Sequence, residues 1–320
     1  MANTKQLNKE EEISLFQHAT GKLAYGLTND YMFRAIMQKN EKVLRGLIGS
    51  LLGISQEEIV SVELTNPIIL GSAIGEKESI LDLKIILNHD QLLNIEMQVA
   101  NRGYWVERSL LYLCRNFGRL QSGQDYAEVM PCLHIGIIDF DLFKEEEGFY
   151  SRYRLLNVEN RRIYSSKFGI NVLNLRKTEH ATQEDRINEL DVWAKLFKAK
   201  TWEEIRMLAK TNDFVKEAAT SIYAVSEDEA IRLQCEARER YERDWAGSYN
   251  SGVRDGIKEG MEAGLKEGKK EGRKEGKKEG NLEAIRNVMK NLQMTEQQAM
   301  DALGIPASEQ AEYAALLQPK

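Results

Sequence analysis

The chain has 320 residues, of which 42% are hydrophobic and 29% are charged, a composition typical of a globular protein with room for about two domains. Its formal net charge of −6 argues against a protein that coats nucleic acid without selectivity. No apolar run approaches the ~18 residues of a membrane span, residues 1–16 lack the pattern of a secretory signal, and three scattered cysteines predict neither disulfides nor a metal site. We therefore expect a cytoplasmic protein without a membrane partner.

The N-terminal part of the chain predicts a helix followed by a strand. Residues 1–26 form a lead-in, after which Asn29 and its neighbours offer an N-cap and apolar residues recur at helical spacing until about residue 52. Residues 58–70 favour a strand that ends or breaks near its proline. Asp30 falls in the first turn of the helix, where a carboxylate interacts favourably with the helix dipole, so its position has a structural explanation as well as a functional one.

The next stretch predicts a β-hairpin. Two runs rich in β-forming residues flank residues 88–90, and three polar residues between apolar runs indicate a hairpin loop. If these three residues form the loop, Leu87 pairs with Gln91 and Leu83 faces Ile95. Because side chains alternate along a strand, one face of this hairpin is apolar and should pack on the core.

The opposite face of the hairpin is mainly polar. It carries Asp82, Lys84, Ile86, Leu92, Asn94, Glu96 and Gln98. In the same register Asp82 lies opposite Glu96, with Cβ atoms about 5 Å apart. Two facing carboxylates repel each other, and a divalent cation between them removes that cost; oxygen ligands of this kind suit Mg²⁺ or Mn²⁺. The alternative is an ordinary solvated strand face, and the hairpin alone does not decide between the two.

A second helix and a buried strand follow the hairpin. Residues 105–120 return to helical spacing and place Arg108 and Tyr112 one turn apart on one face. Residues 132–140 form a continuous apolar run, which is typical of a central strand covered on both faces. Residues 27–140 thus predict the order helix, strand, strand, strand, helix, strand.

This combination resembles a known nuclease core. An acid, thirteen intervening residues and then Glu-x-Gln on one strand face, in this order of elements, are similar to the PD-(D/E)XK nucleases, and most closely to their recombination-promoting nuclease and transposase-like branch. Arg108, Tyr112 and the later Gly123-x-x-Tyr126 also fit this pattern. The resemblance implies an α/β (α+β) fold with a restriction-endonuclease-like αβββαβ core and a mixed central sheet.

The resemblance also implies roles for individual residues. Asp82, Glu96 and Gln98 are the expected catalytic residues, and Asp82 and Glu96 are the expected ligands of Mg²⁺ or Mn²⁺. Gln98 stands where many of these nucleases have lysine; its amide can hydrogen-bond a water molecule but supplies no positive charge. Lys84, on the same face, could replace that charge. The supporting residues are Asp30, which would orient the metal shell or hold a nearby loop, Lys84, and Arg108 and Tyr112, which would contact the phosphate backbone.

A basic stretch with interleaved aromatic residues covers residues 151–177, where seven basic residues stand against one acid. Basic side chains neutralise phosphates and aromatic rings stack on bases, so this stretch predicts a DNA-binding surface. The expected contacts are Arg152, Arg154, Arg161, Arg162 and Lys167. The alternative is a pair of exposed antiparallel strands whose charges are merely solvated. Residues 149–175 predict further strands, with turns at residues 158–160 and 168–169.

The rest of the chain predicts helices. Residues 27–180 form the expected core with its basic strand extension, and residues 181–250 form a helical elaboration whose apolar stripe is Ile187, Leu190, Trp193, Leu196 and Phe197. Residues 251–280 contain eight glycines, one at every fourth position, and each costs a helix about 1 kcal/mol relative to alanine. A fixed period suits close contact between two helices, whereas the alternative is a solvated spacer.

Residues 281–320 predict a small helical unit that is too short to fold stably alone, so we expect a homo-oligomer through residues 251–320. The combined expectation is a Mg²⁺-dependent DNA endonuclease that hydrolyses phosphodiester bonds. The alternative is a nuclease-like fold that binds DNA, or serves as an oligomeric scaffold, without cutting. A full transposase would also need strand transfer, for which the sequence offers no separate domain.

Overall fold

The computed structural model describes residues 9–65, 83–118, 120 and 123–317. The chain divides into two compact units, Met1–Glu242 and Arg243–Lys320. The strands are β1 (Val62–Leu64), β2 (Leu83–Leu87), β3 (Gln91–Gln98), β4 (Cys132–Ile138), β5 (Tyr150–Arg154) and β6 (Phe168–Asn174). The helices are α1 (Lys9–His18), α2 (Asp30–Lys39), α3 (Glu41–Leu52), α4 (Trp105–Phe117), α5 (Gln183–Ile187), α6 (Leu190–Lys198), α7 (Trp202–Leu208), α8 (Asp213–Ser226), α9 (Glu229–Leu292), α10 (Glu296–Ala302) and α11 (Ala307–Leu317). None of the described helices combines the length and the apolar character that crossing a bilayer requires.

A six-stranded mixed sheet organises the first unit, with the strand order β1-β2-β3-β4-β6-β5. β4 runs parallel to both of its neighbours, β3 and β6, whereas the other neighbouring pairs are antiparallel. Every residue of β4 is buried, as expected for a central strand that is covered on both faces. The mixed sheet and the order of its elements confirm the predicted α+β class and the αβββαβ succession.

The hairpin of β2 and β3 has the predicted loop and register. Asn88 and His89 both have positive φ angles, 53° and 62°, which lets a three-residue loop reverse the chain. Leu87 pairs with Gln91 and Leu83 pairs with Ile95, so the apolar face packs into the main core as predicted. The Asn88 side chain accepts hydrogen bonds from the backbone N–H groups of residues 60 and 61, and thereby ties the loop to the segment before β1.

The single helix predicted up to residue 52 is wrong, because Asn40 divides it into α2 and α3. The Asn40 N–H donates to the Ile36 carbonyl at the end of α2, and its side-chain oxygen accepts from the Val43 N–H at the start of α3. An asparagine outside helical geometry can serve both helix ends in this way. Of the strand predicted over residues 58–70, the described part contains only the short β1; residues 66–70 lie outside the described residues.

The turn predicted at residues 168–169 is wrong, because β6 begins at Phe168. Gly169 pairs with Arg154 of the antiparallel neighbour β5. A Cβ atom at residue 169 would come within 2.7 Å of the Arg154 Nη1 atom, so the glycine makes room for a guanidinium group instead of reversing the chain. The turn predicted at residues 158–160 is present.

Helices after the sheet pack against α3. In the predicted apolar stripe, Leu190, Trp193, Leu196 and Phe197 are buried in the main core. Ile187 is 72% exposed, contrary to prediction, because α5 ends there and Glu189 adopts a left-handed conformation before α6 begins. The Trp193 indole donates to the Ser50 hydroxyl at 3.0 Å, which fixes α6 on α3.

The second unit contains the later part of α9 together with α10 and α11. The helix runs continuously through the glycine repeat, and no atom lies within 4 Å of the position that a Cβ atom would occupy at any of the eight glycines. Beyond the repeat, residues of the three helices and of the loop between α10 and α11 form a small apolar core of Ile285, Ala299, Met300, Ile305 and Tyr313. Thr295 and Gln298 form the capping box expected at the start of α10.

Candidate active site

The polar face of β3 is buried rather than solvated. Asn94, Glu96 and Gln98 point to this face, and they are 0%, 2% and 8% exposed. Helix α4 covers the face, so the ordinary solvated strand that remained open as an alternative is wrong for these residues. Burying a carboxylate and two amides destabilises a protein unless these groups have hydrogen-bond or ionic partners. The partners of these three residues therefore describe the site.

Gly136 sets how closely α4 approaches this face. On β4 it lies in register with Glu96 of β3. A Cβ atom at residue 136 would come within 2.2 Å of the Trp105 Cζ2 atom, a distance that no side chain could accept. Glycine therefore lets the first turn of α4 rest on the sheet, where Arg108 reaches Glu96 and the Tyr112 ring lies beside Arg108.

Arg108 joins the two predicted catalytic residues that the structure describes. Its Nη2 atom lies 2.6 Å from Glu96 Oε1, and its Nη1 atom donates to Gln98 Oε1 at 3.2 Å. The guanidinium group also lies over the Tyr112 ring, 5.3 Å from the ring centroid. Gln98 Nε2 donates to the Ala100 carbonyl at 2.9 Å, which fixes the orientation of the amide. A guanidinium fork thus bridges the carboxylate and the amide.

His134 is a component of this site that the sequence analysis missed. It lies on β4 in register with Asn94, and it is completely buried. Asn94 Nδ2 lies 2.9 Å from His134 Nδ1, and His134 Nε2 lies 3.7 Å from Glu96 Oε2. Burial, with a further contribution from the nearby Arg108 charge, lowers the pKa of His134 to about 3, so the imidazole is neutral at pH 7.

A signal for His134 was present in the sequence. The run over residues 132–140 predicts a strand with both faces covered, and a histidine inside such a strand must find a polar partner in the protein interior. That partner lies on β3, about forty residues earlier in the chain. Only the parallel pairing of β3 with β4 identifies it, and local patterns do not specify that pairing.

The oxygen atoms at this site suit a hard divalent cation. The Glu96 carboxylate and the Gln98 amide oxygen lie on one strand face, and Asn94 Oδ1 is buried without a hydrogen-bond partner among the described residues. Such donors fit Mg²⁺ or Mn²⁺ better than softer metals. Lys84 pairs with Asn94 across the hairpin. Asp82, the second predicted ligand, lies outside the described residues, and the residues that are described contain no group of three or more His, Cys, Asp or Glu suited to a metal.

Asp30 is held by the start of α9. Arg238 Nη2 lies 2.6 Å from Asp30 Oδ2 and also 2.8 Å from Glu242, and Glu242 in turn lies 2.7 Å from Arg102 in the loop after β3. Burial raises the pKa of the Asp30 carboxyl, although Arg238 acts in the opposite direction. This network connects the start of α2 to the loop that leads from Gln98 to α4. The supporting role expected for Asp30 stays a prediction.

The five predicted DNA contacts have different environments. Arg154 donates to backbone carbonyls of Tyr153 and Ile170, and Lys167 donates to those of Ala127 and Val129. Arg152 pairs with Glu184 at 2.8 Å.

The other two, Arg161 and Arg162, are exposed at the tip of the segment between β5 and β6. Tyr164 is 84% exposed beside them. Their role in binding DNA stays a prediction; both arginines are exposed, whereas Arg154 and Lys167 are partly buried.

A mixed sheet of this topology, with a buried Glu-x-Gln on the strand before the covering helix, defines the restriction-endonuclease-like class of nuclease folds. Residues 27–252 match the family described as PD-(D/E)XK nuclease family transposase, and the chain belongs to this family. The match extends well beyond residues 27–140, through α8 and into α9. We found no significant match among curated proteins or among solved structures.

Proposed function

We propose that the protein is a metal-dependent DNA endonuclease of the recombination-promoting nuclease type, which hydrolyses phosphodiester bonds. The observation that carries this proposal is the buried Glu96 carboxylate, two residues from Gln98 on β3 and 2.6 Å from Arg108 on α4. A buried carboxylate in this position lowers the stability of the fold. Because the chain belongs to a nuclease family, we infer that this carboxylate is kept for catalysis.

In this proposal Asp82 and Glu96 hold Mg²⁺ or Mn²⁺. The hairpin register supports the pairing of the two acids, because their chain neighbours Leu83 and Ile95 lie opposite each other. A cation bound there would activate a water molecule and stabilise the charge that develops on the phosphate. Asn94 Oδ1 is a further oxygen on the same face.

Other residues of the site would bind and orient the substrate. Gln98 would hydrogen-bond the attacking water, and Lys84 would supply the positive charge that Gln98 lacks. The Arg108 side chain is 24% exposed, and its guanidinium group would take a phosphate oxygen in its fork. Tyr112 supports Arg108 through its ring.

We also propose that the tip between β5 and β6 contacts the DNA backbone. Arg161 and Arg162 are adjacent and exposed there, beside an exposed tyrosine ring. Arg152, Arg154 and Lys167 have protein partners at the base of the same segment, and they would add charge while holding its shape.

A second candidate function is DNA binding without cleavage. The observation that favours it is the Arg108–Glu96 ion pair, since a guanidinium group 2.6 Å from the carboxylate already balances the charge that a cation would balance. A protein of this kind would bind DNA equally well with or without Mg²⁺ and would leave the phosphodiester bonds intact.

Plasmid cleavage with purified full-length protein separates the two functions. We expect nicked or linear product with Mg²⁺, none with EDTA, and a loss of at least about 100-fold in rate for Asp82→Asn and for Glu96→Gln. Glu63→Gln, an exposed carboxylate on β1, is the matched control and should cleave normally. Tight DNA binding with no cleavage in Mg²⁺ or Mn²⁺ would establish the second function instead.

A further inference from the structure

The two ring nitrogens of His134 have different neighbours. The Nδ1 atom lies 2.9 Å from Asn94 Nδ2 and accepts a hydrogen bond from it. An imidazole that accepts at Nδ1 and is neutral carries its hydrogen on Nε2. The Nε2–H group faces Glu96 Oε2 at 3.7 Å, and within the described residues it has no hydrogen-bond partner at normal distance.

A completely buried N–H group without an acceptor is destabilising, so the group that lies nearest to it is informative. It is aimed at one oxygen of Glu96, while Arg108 approaches the other oxygen, Oε1. The two carboxylate oxygens therefore face different partners. The 3.7 Å between Nε2 and Oε2 exceeds a normal hydrogen bond by only about 0.5 Å, and a hydrogen bond there would leave Oε1 to a ligand on the Arg108 side.

We propose that His134 is a positioning residue that donates through Nε2 to Glu96 Oε2, with Asn94 fixing its tautomer, and so orients Oε1 toward the cation. This inference rests on the proposed function, in which Glu96 is a metal ligand. Carboxylates that bind metals are themselves commonly oriented by hydrogen bonds from surrounding residues. His134 itself is shut off from solvent, so it orients Glu96 and does not touch substrate.

The surroundings of His134 fit this role. The rings of Trp105 and Tyr112 lie 5.9 Å and 6.5 Å from the imidazole and shield it from water. A neutral imidazole leaves the negative charge of Glu96 to the cation, whereas an imidazolium group would cancel it. The hydrogen bond from Asn94 Nδ2 needs an unprotonated Nδ1 atom, and this geometry corresponds to the neutral ring. Trp105 can lie against the sheet only because residue 136 is glycine.

Two substitutions of His134 in the full-length protein test the proposal. His134→Gln keeps an N–H donor near the position of Nε2, whereas His134→Leu keeps a similar volume and removes the donor. Leu113→Ala is the matched control, since Leu113 is a completely buried residue of α4 and its truncation creates a cavity without removing a polar group near Glu96. The readouts are Mn²⁺ affinity by titration calorimetry and the imidazole tautomer by ¹⁵N NMR.

We expect His134→Leu to bind Mn²⁺ about 10- to 100-fold more weakly than the wild type. His134→Gln should recover most of that loss, and Leu113→Ala should bind Mn²⁺ as the wild type does although it is less stable. In the wild-type protein, the ¹⁵N spectrum should show the Nε2-protonated tautomer. This spectrum needs no variant, so it judges the proposal even if His134→Leu fails to fold.

Three results overturn the proposal: a wild-type imidazole protonated at Nδ1, equal Mn²⁺ affinity in His134→Leu and the wild type, or an equal loss in His134→Gln and His134→Leu. These results differ from a failure of the proposed function. If the wild type itself binds no Mn²⁺ and cleaves no DNA, the function fails together with the inference, whereas wild-type binding that His134→Leu leaves unchanged removes the inference alone.

Discussion

Glu96 and Arg108 form a mostly buried ion pair, and such pairs are sensitive to the loss of one member. Removing Arg108 leaves the Glu96 carboxylate at 2% exposure without the guanidinium group that lies 2.6 Å away. Losing one partner of a buried pair usually costs about 3–5 kcal/mol, because the remaining charge stays out of water. Arg108 therefore contributes to stability whatever it contributes to catalysis.

Accordingly, we expect Arg108→Met to lower the free energy of unfolding by about 3 kcal/mol, as measured by urea denaturation. Arg115→Met, on an exposed position of the same helix, is the control and should change it by less than about 0.5 kcal/mol. The Glu96→Gln variant lacks the carboxylate charge, so Arg108→Met should lower the free energy of unfolding by clearly less in that variant than in the wild type. Equal costs in both backgrounds would mean that the pair does not act as a unit.

At the scale of elements, the sequence predicted the hairpin in detail. The alternating pattern and the polar loop placed Leu87 against Gln91 and Leu83 against Ile95, and the structure has these pairs. Such features are local, since a tight loop fixes the register of the strands that it joins. The continuous apolar run of β4 likewise marked a central strand.

What the sequence did not predict depends on contacts between distant segments. Asn94 and His134 meet because β3 and β4 run parallel, and no periodicity in either strand specifies that partner. The polar face of β3 is buried only because α4 lies on it. The break at Asn40 was missed for a different reason: the apolar spacing continues across it, while one side chain ends one helix and begins the next.

The segment between β5 and β6 carries the prediction for DNA binding. Reversing Arg161 and Arg162 to Glu should weaken DNA binding similarly across sequences and reduce its salt dependence, because each phosphate contact releases counterions. Both residues are exposed, so the fold should be unaffected. Binding is measured by fluorescence anisotropy over a range of salt concentrations.

The matched control reverses two basic residues of the glycine repeat, Lys269 and Lys270, which are also exposed. If they weaken binding as much as the arginine pair does, the effect reflects overall charge. If neither charge reversal changes the salt dependence of DNA binding, the tip between β5 and β6 does not contact DNA.

At the scale of the whole molecule, α9 presents an unusual surface. Beside the glycines at 252, 256, 260 and 264 stand four exposed apolar residues with the same spacing: Val253, Ile257, Met261 and Leu265. A helix that leaves such residues in water normally has a partner. Four residues advance about 400° around a helix, so the stripe turns by about 40° per repeat and would favour a right-handed crossing.

We propose on this basis that residues 251–320 mediate a homo-oligomer. Truncation after Ser251 should convert a dimer or larger assembly into a monomer, as measured by light scattering, while Mn²⁺ binding persists because the site lies upstream. Replacing Ile257 and Met261 by Gln in the full-length chain should have the same effect, and replacing Lys258 and Glu262 by Gln is the control. A full-length protein that is already monomeric at micromolar concentration would leave the repeat as a spacer.

The close approach of Trp105 to Gly136 has a consequence for how this site can vary. An added methyl group at residue 136 must move the indole, and Trp105 belongs to the helix that brings Arg108 to Glu96. The side-chain size that residue 136 tolerates therefore depends on the size of residue 105, and the reverse is also true. A compensating pair, such as Gly136→Ala with Trp105→Leu, restores the space that either change alone disturbs. A selection for second-site suppressors of Gly136→Ala should return smaller residues at position 105.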